Sequence, residues 1–240
     1  MKQRLDQALP ARGLVVTRSQ GESWIRLGKV LVNGQAVTKP GFLVGDADDI
    51  RLQATERYVS RAGLKLASVA QTLGLDFRDT VMLDVGSSTG GFTDYALQHG
   101  ARKVVAVEVG TDQLHPSLRG NPQIELHEQT DIRSMHTLSE PADVVVLDVS
   151  FISLREILPH VATLCTPQTQ IVAMVKPQFE AAASKLKHKG VIKNDHLRRE
   201  ILKDFEQWAK QYFVVQAKAD SEVAGAGGNL ERFYLLRVLK

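Results

Sequence analysis

Two hydrophobic patterns follow one another along the chain. Up to about residue 53, the apolar positions predict two short helices, the second ended by Gly28, followed by several short strands. Asn33-Gly34 lies between two of these strands, which is a strong signal for a β-hairpin. We therefore expect the front of the chain to fold as one small α+β unit.

From Lys65 onward, apolar runs of strand length alternate with longer amphipathic stretches. This alternation predicts an α/β domain with a mostly parallel sheet. The predicted strands are Val81–Val85, Lys103–Val107, Ile124–His127, Val144–Val149, Ile171–Val175, Phe213–Ala217 and Phe233–Val238. The predicted helices are Leu66–Leu73, Phe92–His99, Leu154–Leu164 and Leu197–Gln211. No comparable helix separates the last two strands, so we expect an antiparallel edge.

These patterns divide the 240 residues into a small domain at 1–53, a connector at 54–64 and an α/β domain at 65–240. The connector is not rich in glycine or serine, so we expect it to be compact rather than freely flexible. Positive charge is concentrated at the front. Residues 1–65 carry 11 Lys and Arg against 6 Asp and Glu, whereas residues 66–240 carry 19 against 21. A basic front fits nucleic acid as a partner, and it also fits an ordinary charged surface.

Composition narrows the classes of protein further. Hydrophobic residues at 43% and charged residues at 24% fit a globular fold. The single cysteine, Cys165, excludes a disulfide scaffold and a multi-cysteine zinc site, and it fits a cytoplasmic location. No apolar run approaches the roughly 20 residues that span a bilayer, and no secretory signal or metal-ligand cluster is evident. We therefore expect neither a membrane nor a metal as a partner.

A glycine-rich loop follows the first strand of the α/β domain, in the sequence Asp84-Val-Gly-Ser-Ser-Thr-Gly-Gly-Phe. Ligands of open α/β sheets bind beyond the carboxyl ends of strands, and glycine lets the backbone approach them closely. Dinucleotide-binding folds use the same device, but the spacing here differs from Gly-x-Gly-x-x-Gly and no phosphate-binding lysine follows. The loop resembles the S-adenosylmethionine (SAM) loop of class I methyltransferases.

Acidic residues after the next two strands complete the predicted cofactor site. Glu108 ends the second strand, where an acid can accept hydrogen bonds from both ribose hydroxyls. Asp131 follows the third strand and can accept a hydrogen bond from the adenine amino group; either acid alone also fits an exposed turn. The predicted SAM-binding residues are Asp84, Gly86, Ser87, Ser88, Gly90, Gly91, Phe92, Glu108, Asp131 and Asp148.

Four polar residues are the candidates for catalysis: Lys65, Asp148, Lys176 and Glu231. Methylation of a ribose 2′-hydroxyl needs a nucleophile aligned with the methyl group and a route for its proton. A lysine with its usual pKa of about 10.4 is protonated at neutral pH, but burial and a neighbouring cation lower that pKa. Nearby acids oppose this change while they hold the amines in place. The sequence leaves open which effect prevails.

Lys-Asp-Lys-Glu in this chain order resembles the tetrad of 2′-O-ribose methyltransferases. The sequences Asp148-Val-Ser-Phe-Ile-Ser-Leu, Lys176-Pro-Gln-Phe-Glu and Gly228-Asn-Leu-Glu, with the glycine loop, closely resemble the TlyA family. At the front, Arg26-Leu-Gly-Lys-Val-Leu-Val-Asn-Gly resembles an S4-like RNA-binding domain. The resemblance implies that domain followed by a class I, Rossmann-like, seven-stranded methyltransferase domain of the FtsJ-like type. The implied activity is SAM-dependent methylation of the ribose 2′-hydroxyl of cytidine in ribosomal RNA.

The resemblance also implies roles for individual residues. Lys176 would assist deprotonation of the hydroxyl, Asp148 would position Lys176, and Lys65 and Glu231 would orient the centre. The expected partner is ribosomal RNA or a ribosomal subunit. The predicted RNA-binding residues are Arg4, Arg12, Arg18, Arg26, Lys29, Arg61, Lys187 and Lys189.

Some positions depart from the family pattern, and other functions stay open. Glu108 stands where the family usually has aspartate, Asp131 where it often has asparagine, and the loop 221–227 lacks the usual apolar and basic residues. The alternatives are a non-catalytic RNA-binding protein, a membrane-lytic haemolysin and a small-molecule methyltransferase. A base-carbon methyltransferase would use Cys165 as its nucleophile, but no supporting motif surrounds that residue.

Overall fold

The computed structural model describes residues 2–15, 18–26, 28–53, 58–183, 190–192, 194–225 and 228–239. It divides into two compact units, Met1–Ser60 and Arg61–Lys240. The division falls inside the stretch that we predicted to be a connector. Among the described residues, no helix is long and apolar enough to cross a membrane.

The first unit packs two helices with two small sheets. The elements are β1 (Gln3–Arg4), α1 (Leu5–Ala11), α2 (Arg18–Arg26), β2 (Val30–Val32), β3 (Gln35–Val37), β4 (Leu43–Val44) and β5 (Ile50–Leu52). β2 pairs antiparallel with β3 and β5, and β1 pairs antiparallel with β4. Asn33 and Gly34 have φ angles of 52° and 80°, as a tight hairpin turn requires, which confirms the predicted hairpin. Gly28, at φ 67°, follows the end of α2 as predicted.

The second unit is a seven-stranded sheet with helices packed against it. The strands are β6 (Val81–Val85), β7 (Lys103–Val107), β8 (Ile124–His127), β9 (Val144–Leu147), β10 (Gln170–Val175), β11 (Phe213–Asp220) and β12 (Arg232–Val238). Their order is β11-β12-β10-β9-β6-β7-β8. All pairs from β10 to β8 are parallel, whereas β12 is antiparallel to both β10 and β11. The mostly parallel sheet and its antiparallel edge are therefore confirmed.

The helices of the second unit are α3 (Arg61–Ala70), α4 (Gly91–Gln98), α5 (Leu158–Thr163), α6 (Pro177–Ala183) and α7 (Asp195–Ala209). They cover the sheet so well that every residue of β6 and β9 is buried. A parallel sheet covered on both faces needs such continuous apolar strands, which is why the strands were predictable. The core gathers residues from β6, β7, β9, β10 and β12 with α5 and α7.

Several element boundaries differ from the predictions. α3 begins at Arg61, five residues before the predicted start at Leu66, because its buried face already includes Gly63. The predicted helix Leu154–Leu164 is a 3-10 turn followed by α5, since Pro159 lacks an N–H and fits only in a first turn. β9 ends at Leu147, and the chain then turns out of the sheet with Phe151 at φ 68°.

Candidate active site

A cavity of about 410 Å³ opens at the carboxyl ends of β6, β7 and β9. This is the edge at which open α/β sheets bind ligands, and the volume is typical of a small-molecule site. Five of the predicted SAM-binding residues line it: Gly86, Ser88, Glu108, Asp131 and Asp148. Its wall also includes apolar residues that the sequence reasoning did not single out, such as Val149 and Ile157.

The glycine loop is built by close backbone packing. Gly86 has φ 81°, and a Cβ on it would lie 2.8 Å from the carbonyl oxygen of Asp148. Gly90 has φ 87°, and a Cβ on it would lie 2.6 Å from Cδ1 of Leu118. Glycine is therefore needed at both positions, because a side chain would be strained and would collide with its neighbours.

Four predicted cofactor residues do not line the cavity: Ser87, Gly90, Gly91 and Phe92. They lead the chain into α4, and all four are buried away from the cavity. The Phe92 ring packs against Phe233, with ring centroids 6.1 Å apart. The Phe92 side chain is therefore part of the core in this structure, and its role as a cofactor contact stays a prediction.

Asp84 lies fully buried beneath the glycine loop rather than in the cavity. Its Oδ2 accepts a hydrogen bond of 2.7 Å from the Thr93 hydroxyl, whereas Oδ1 has no hydrogen-bond partner among the described residues. Burial raises the pKa of Asp84 to about 7, because the charged form loses its hydration. Asp84 thus ties the end of β6 to α4 and leaves one polar atom unsatisfied below the loop.

The other two acids hold the cavity wall in shape. Glu108 accepts backbone hydrogen bonds from Ser88 at 2.9 Å and Gly110 at 2.8 Å, so it ties β7 to the glycine loop. Asp131 accepts two parallel hydrogen bonds from the Arg133 guanidinium, at 3.0 and 2.7 Å. These hydrogen bonds hold the pKa of Asp131 below its ordinary value. Both acids face the cavity with part of their surface exposed.

The four catalytic candidates form two close ion pairs. Lys176 Nζ lies 2.6 Å from Asp148 Oδ1, and Lys65 Nζ lies 2.6 Å from Glu231 Oε2. Only 10% of each lysine side chain is exposed to solvent. A pair this sheltered is weakly screened and has a defined geometry, unlike a surface salt bridge.

The sheet register brings the two pairs to neighbouring strand ends. Val175 of β10 is paired with Arg232 of β12 in an antiparallel ladder. One residue beyond this pair, the same register sets Lys176 opposite Glu231. The fold thus brings Lys65 and Glu231, which are more than 160 positions apart in the sequence, together beyond the carboxyl end of β10.

Two contacts at this edge were missed by the sequence reasoning. Ser150 accepts a hydrogen bond of 2.7 Å from Lys176 Nζ, so Lys176 has two oxygen partners. Buried Glu180 accepts hydrogen bonds from the Ser153 hydroxyl and the Leu154 amide, both at 2.7 Å, and so ties α6 to the loop after β9. The only sequence signal for either residue was its place inside a motif already quoted.

Several predicted RNA-binding cations have partners inside the fold. Arg4 and Arg18 form ion pairs with buried Asp6, at 2.9 and 2.7 Å. Arg12 donates to the carbonyl oxygens of Gly45 and Asp48, and Arg61 donates to the carbonyl oxygen of Ala224. These guanidinium groups bind within their own units, so Arg12 and Arg61 have a structural role, and their contact with RNA stays a prediction. Arg26 and Lys29 are exposed, and Lys187 and Lys189 lie outside the described residues.

Cys165 is unsuited to act as a nucleophile. Its Sγ donates to the carbonyl oxygen of Val161, and burial raises the pKa of the thiol to about 12. Since the thiolate is the reactive form, this thiol is inert at neutral pH. Among the described residues, no group of three or more His, Cys, Asp or Glu is placed to hold a metal ion.

This fold and site define a methyltransferase of the Rossmann-like class, with a separate small unit at its amino end. The FtsJ-like methyltransferase family matches residues 58–238, and the S4 domain matches residues 3–50. The chain belongs to the TlyA group of FtsJ-like methyltransferases, whose members it matches over most of its length.

Three relatives illustrate this membership. The 16S/23S rRNA (cytidine-2'-O)-methyltransferase TlyA of Mycobacterium tuberculosis is 35% identical over 240 residues, covering 98% of this chain and 89% of that protein. The 23S rRNA (cytidine-2'-O)-methyltransferase TlyA of Campylobacter jejuni is 40% identical over 182 residues, covering 75% of this chain and 71% of that protein. A solved structure named "Putative hemolysin from Streptococcus thermophilus" is 35% identical, with a TM-score of 0.76 over 100% of this chain and 89% of that chain.

Proposed function

We propose that this protein transfers a methyl group from SAM to the 2′-hydroxyl of cytidine in ribosomal RNA. The observation that carries the proposal is the position of Asp148. Asp148 lines the cavity beside the glycine loop, and its Oδ1 lies 2.6 Å from Lys176 Nζ. One residue therefore connects the predicted cofactor site to the lysine that would act on the hydroxyl.

The cavity suits SAM in size and in chemistry. Its volume of about 410 Å³ is typical of small-molecule sites. Carboxylates at Glu108 and Asp131 offer acceptors for ribose hydroxyls and an amino group, and the backbone at Gly86 leaves no room for a side chain. When bound, SAM supplies the electrophilic methyl group.

The two ion pairs give each catalytic candidate a role. Lys176 holds or accepts the hydroxyl proton, because its Nζ is sheltered and contacts Asp148 and Ser150, which line the cavity. Asp148 and Ser150 fix the direction of that amine through contacts of 2.6 and 2.7 Å. Lys65 places a second positive charge at the neighbouring strand end, held there by Glu231.

The choice of ribosomal RNA is supported by the amino-terminal unit and by the relatives. The S4 domain matches residues 3–50, and the TlyA relatives carry ribosomal RNA in their names. Arg26 and Lys29 are exposed cations on that unit, free to approach phosphates. The proposal includes a cytoplasmic location, where ribosomes are found.

The proposal is tested by transfer of labelled methyl groups from SAM to isolated 30S subunits, 50S subunits and naked ribosomal RNA. We expect label on at least one of these substrates and a loss of about 100-fold or more with Lys176→Ala, the effect of removing a general base. Lys103→Ala is the matched control. Lys103 lies at the amino end of β7, whereas Lys176 follows the carboxyl end of the parallel strand β10.

Three outcomes would contradict the proposal. Cofactor binding without label on any ribosomal substrate would favour a non-catalytic RNA-binding protein. Label on a small molecule alone would favour a small-molecule methyltransferase. Equal activity of the Lys176→Ala and Lys103→Ala variants would remove Lys176 from the chemistry.

A further inference from the structure

A second, strongly basic cleft of about 300 Å³ lies between α7 and the strands β11 and β12. Its charged lining residues are Arg199, Lys203, Glu206, Lys210, Lys218 and Arg232. Five cations against one carboxylate leave an excess of four positive charges. Neither the catalytic candidates nor the predicted RNA-binding residues include any of them.

The cleft has a rigid frame. Arg199, Lys203 and Glu206 are spaced three or four residues apart, so they share one face of α7. Lys218 of β11 stands in the register position opposite Tyr234 of β12. Tyr234 is fully buried, and its hydroxyl donates to the Leu202 carbonyl oxygen at 3.2 Å, which joins the sheet to α7.

With Asp220 beside the cleft counted together with Glu206, two carboxylates face five cations and leave an excess of three positive charges. Glu206 is shared by Lys210 at 2.8 Å and Lys218 at 2.7 Å. Asp220 holds Arg232 at 2.7 Å. Arg199 and Lys203 are exposed, and neither forms an ion pair with any residue that the structure describes. The cleft therefore combines two exposed cations that have no ion-pair partner among the described residues with three cations that are held by carboxylates.

The cleft starts at the catalytic edge of the sheet. Arg232 directly follows Glu231, the partner of Lys65, and side chains of successive strand residues point to opposite faces. α7 also begins at this edge, because it leads into β11, which runs parallel to β10. A polymer that passes from one face to the other at β12 would contact both the active site and the cleft.

We propose that this cleft binds the phosphodiester backbone of the RNA whose target ribose occupies the active site. The inference rests on the proposed function and adds a phosphate site on the methyltransferase unit itself. Lysine and arginine neutralise phosphates without reading sequence, so the cleft would position RNA rather than select it. An acidic protein is the weaker fit, because Tyr234, the aromatic residue of the cleft lining, is buried and offers no aromatic anchor of the kind enriched at interface hot spots.

The test compares two full-length double variants with the same net charge. Arg199→Glu with Lys203→Glu changes the cleft, and Arg78→Glu with Arg102→Glu changes exposed cations that precede β6 and β7 at the opposite edge. The probe is a single-stranded RNA of mixed sequence, and its affinity is measured over a range of salt concentrations. SAM binding to both variants confirms that the methyltransferase unit is folded.

We expect the cleft variant to bind the RNA at least about tenfold more weakly than the control variant. Its plot of log affinity against log salt should be shallower by about 1.4, the value for two lost phosphate contacts on a single strand. Equal affinities and slopes would overturn the inference. So would binding of poly-glutamate that depends on Arg199 and Lys203 while RNA binding does not, because the cleft would then be a site for acidic peptides.

Failure of this inference is distinguishable from failure of the proposed function. If the wild-type protein methylates ribosomal RNA and both variants bind RNA equally, the cleft assignment fails and the function stands. If no ribosomal substrate is methylated but the cleft variant alone loses RNA affinity, the phosphate site stands and the enzymatic proposal fails.

Discussion

Asp148 and Gly86 are in direct contact, and this contact sets the geometry of the site. The Asp148 carbonyl oxygen packs where a Cβ of residue 86 would stand, and the Asp148 side chain reaches Lys176. A change at Gly86 therefore acts on both the proposed cofactor cavity and Lys176, the proposed catalytic lysine. The positive φ of Gly86 makes this contact possible, since other residues are strained in that conformation.

Gly86→Ala should lower SAM affinity by about tenfold or more, because the added Cβ would lie 2.8 Å from a backbone oxygen at the cavity wall. The strained φ alone costs about 1–3 kcal/mol of stability. Gly74→Ala is the matched control, with φ 64° and nothing within 4 Å of its Cβ. Titration calorimetry with SAM should show nearly wild-type affinity for the control. Equal affinities for the two variants would contradict the role given to Gly86.

The sequence was sufficient to predict residues that end apolar strands, but not residues whose partners are set by loops. Asp148, Lys176 and Glu231 adjoin predicted strands, so their convergence followed from the α/β pattern. The contact between Ser150 and Lys176 depends on how the chain leaves β9, which no local pattern specifies. Likewise, the sequence does not show that Arg12 donates to the carbonyl oxygens of Gly45 and Asp48, because the fold alone brings these distant residues together.

Among the elements, strands were more predictable than helices. β6, β7 and β8 have the predicted bounds. β6 and β7 are almost wholly buried apolar runs, as expected of parallel strands, whereas β8 is only partly buried. α6 was missed, since the sequence around it was interpreted only as a motif and Pro177 obscured a helix start. Proline is tolerated at the first position of a helix, where its missing N–H leaves no bond unmade.

α1 and α2 are held together by one buried acid, which should make the first unit sensitive to acid. Hydrogen bonds from Arg4 and Arg18 hold the pKa of Asp6 at about 2, below the 3.8 of the unfolded chain. The stabilisation is therefore present above pH 3.8 and is lost as the pH falls towards 2. The difference between these pKa values corresponds to about 2 kcal/mol.

This loss can be measured by urea unfolding followed through Trp24 fluorescence, in a Trp208→Phe background so that only the first unit reports. The parent protein should lose about 2 kcal/mol more than its Asp6→Asn variant between pH 4 and pH 2. Equal losses in the two proteins would show that Asp6 is not the group responsible.

At the scale of the whole molecule, the two units differ in charge and in the sites proposed for them. Each has its own buried residues, Leu9 and Ile25 in the first and the large sheet core in the second. The front carries the excess positive charge, whereas the predicted cofactor cavity lies wholly within the second unit. Cofactor binding and RNA binding should therefore be separable.

A chain that begins at Arg61 should bind SAM with nearly unchanged affinity but ribosomal RNA at least about tenfold more weakly, because it lacks the basic front. Calorimetry and filter binding measure the two affinities. The full-length chain with Arg26→Ala and Lys29→Ala is the companion variant, and it should show part of the RNA loss. An Arg61–Lys240 chain that binds RNA as tightly as the full chain would contradict this division.

Ribose methylation is tested most directly by identifying the modified nucleoside. Ribosomal RNA methylated by the protein and SAM would be digested to nucleosides and analysed by mass spectrometry. We expect 2′-O-methylcytidine, with none formed by Lys176→Ala. A methyl group on a base, or 2′-O-methylcytidine formed equally well without Lys176, would contradict the assignment of the two ion pairs to ribose chemistry.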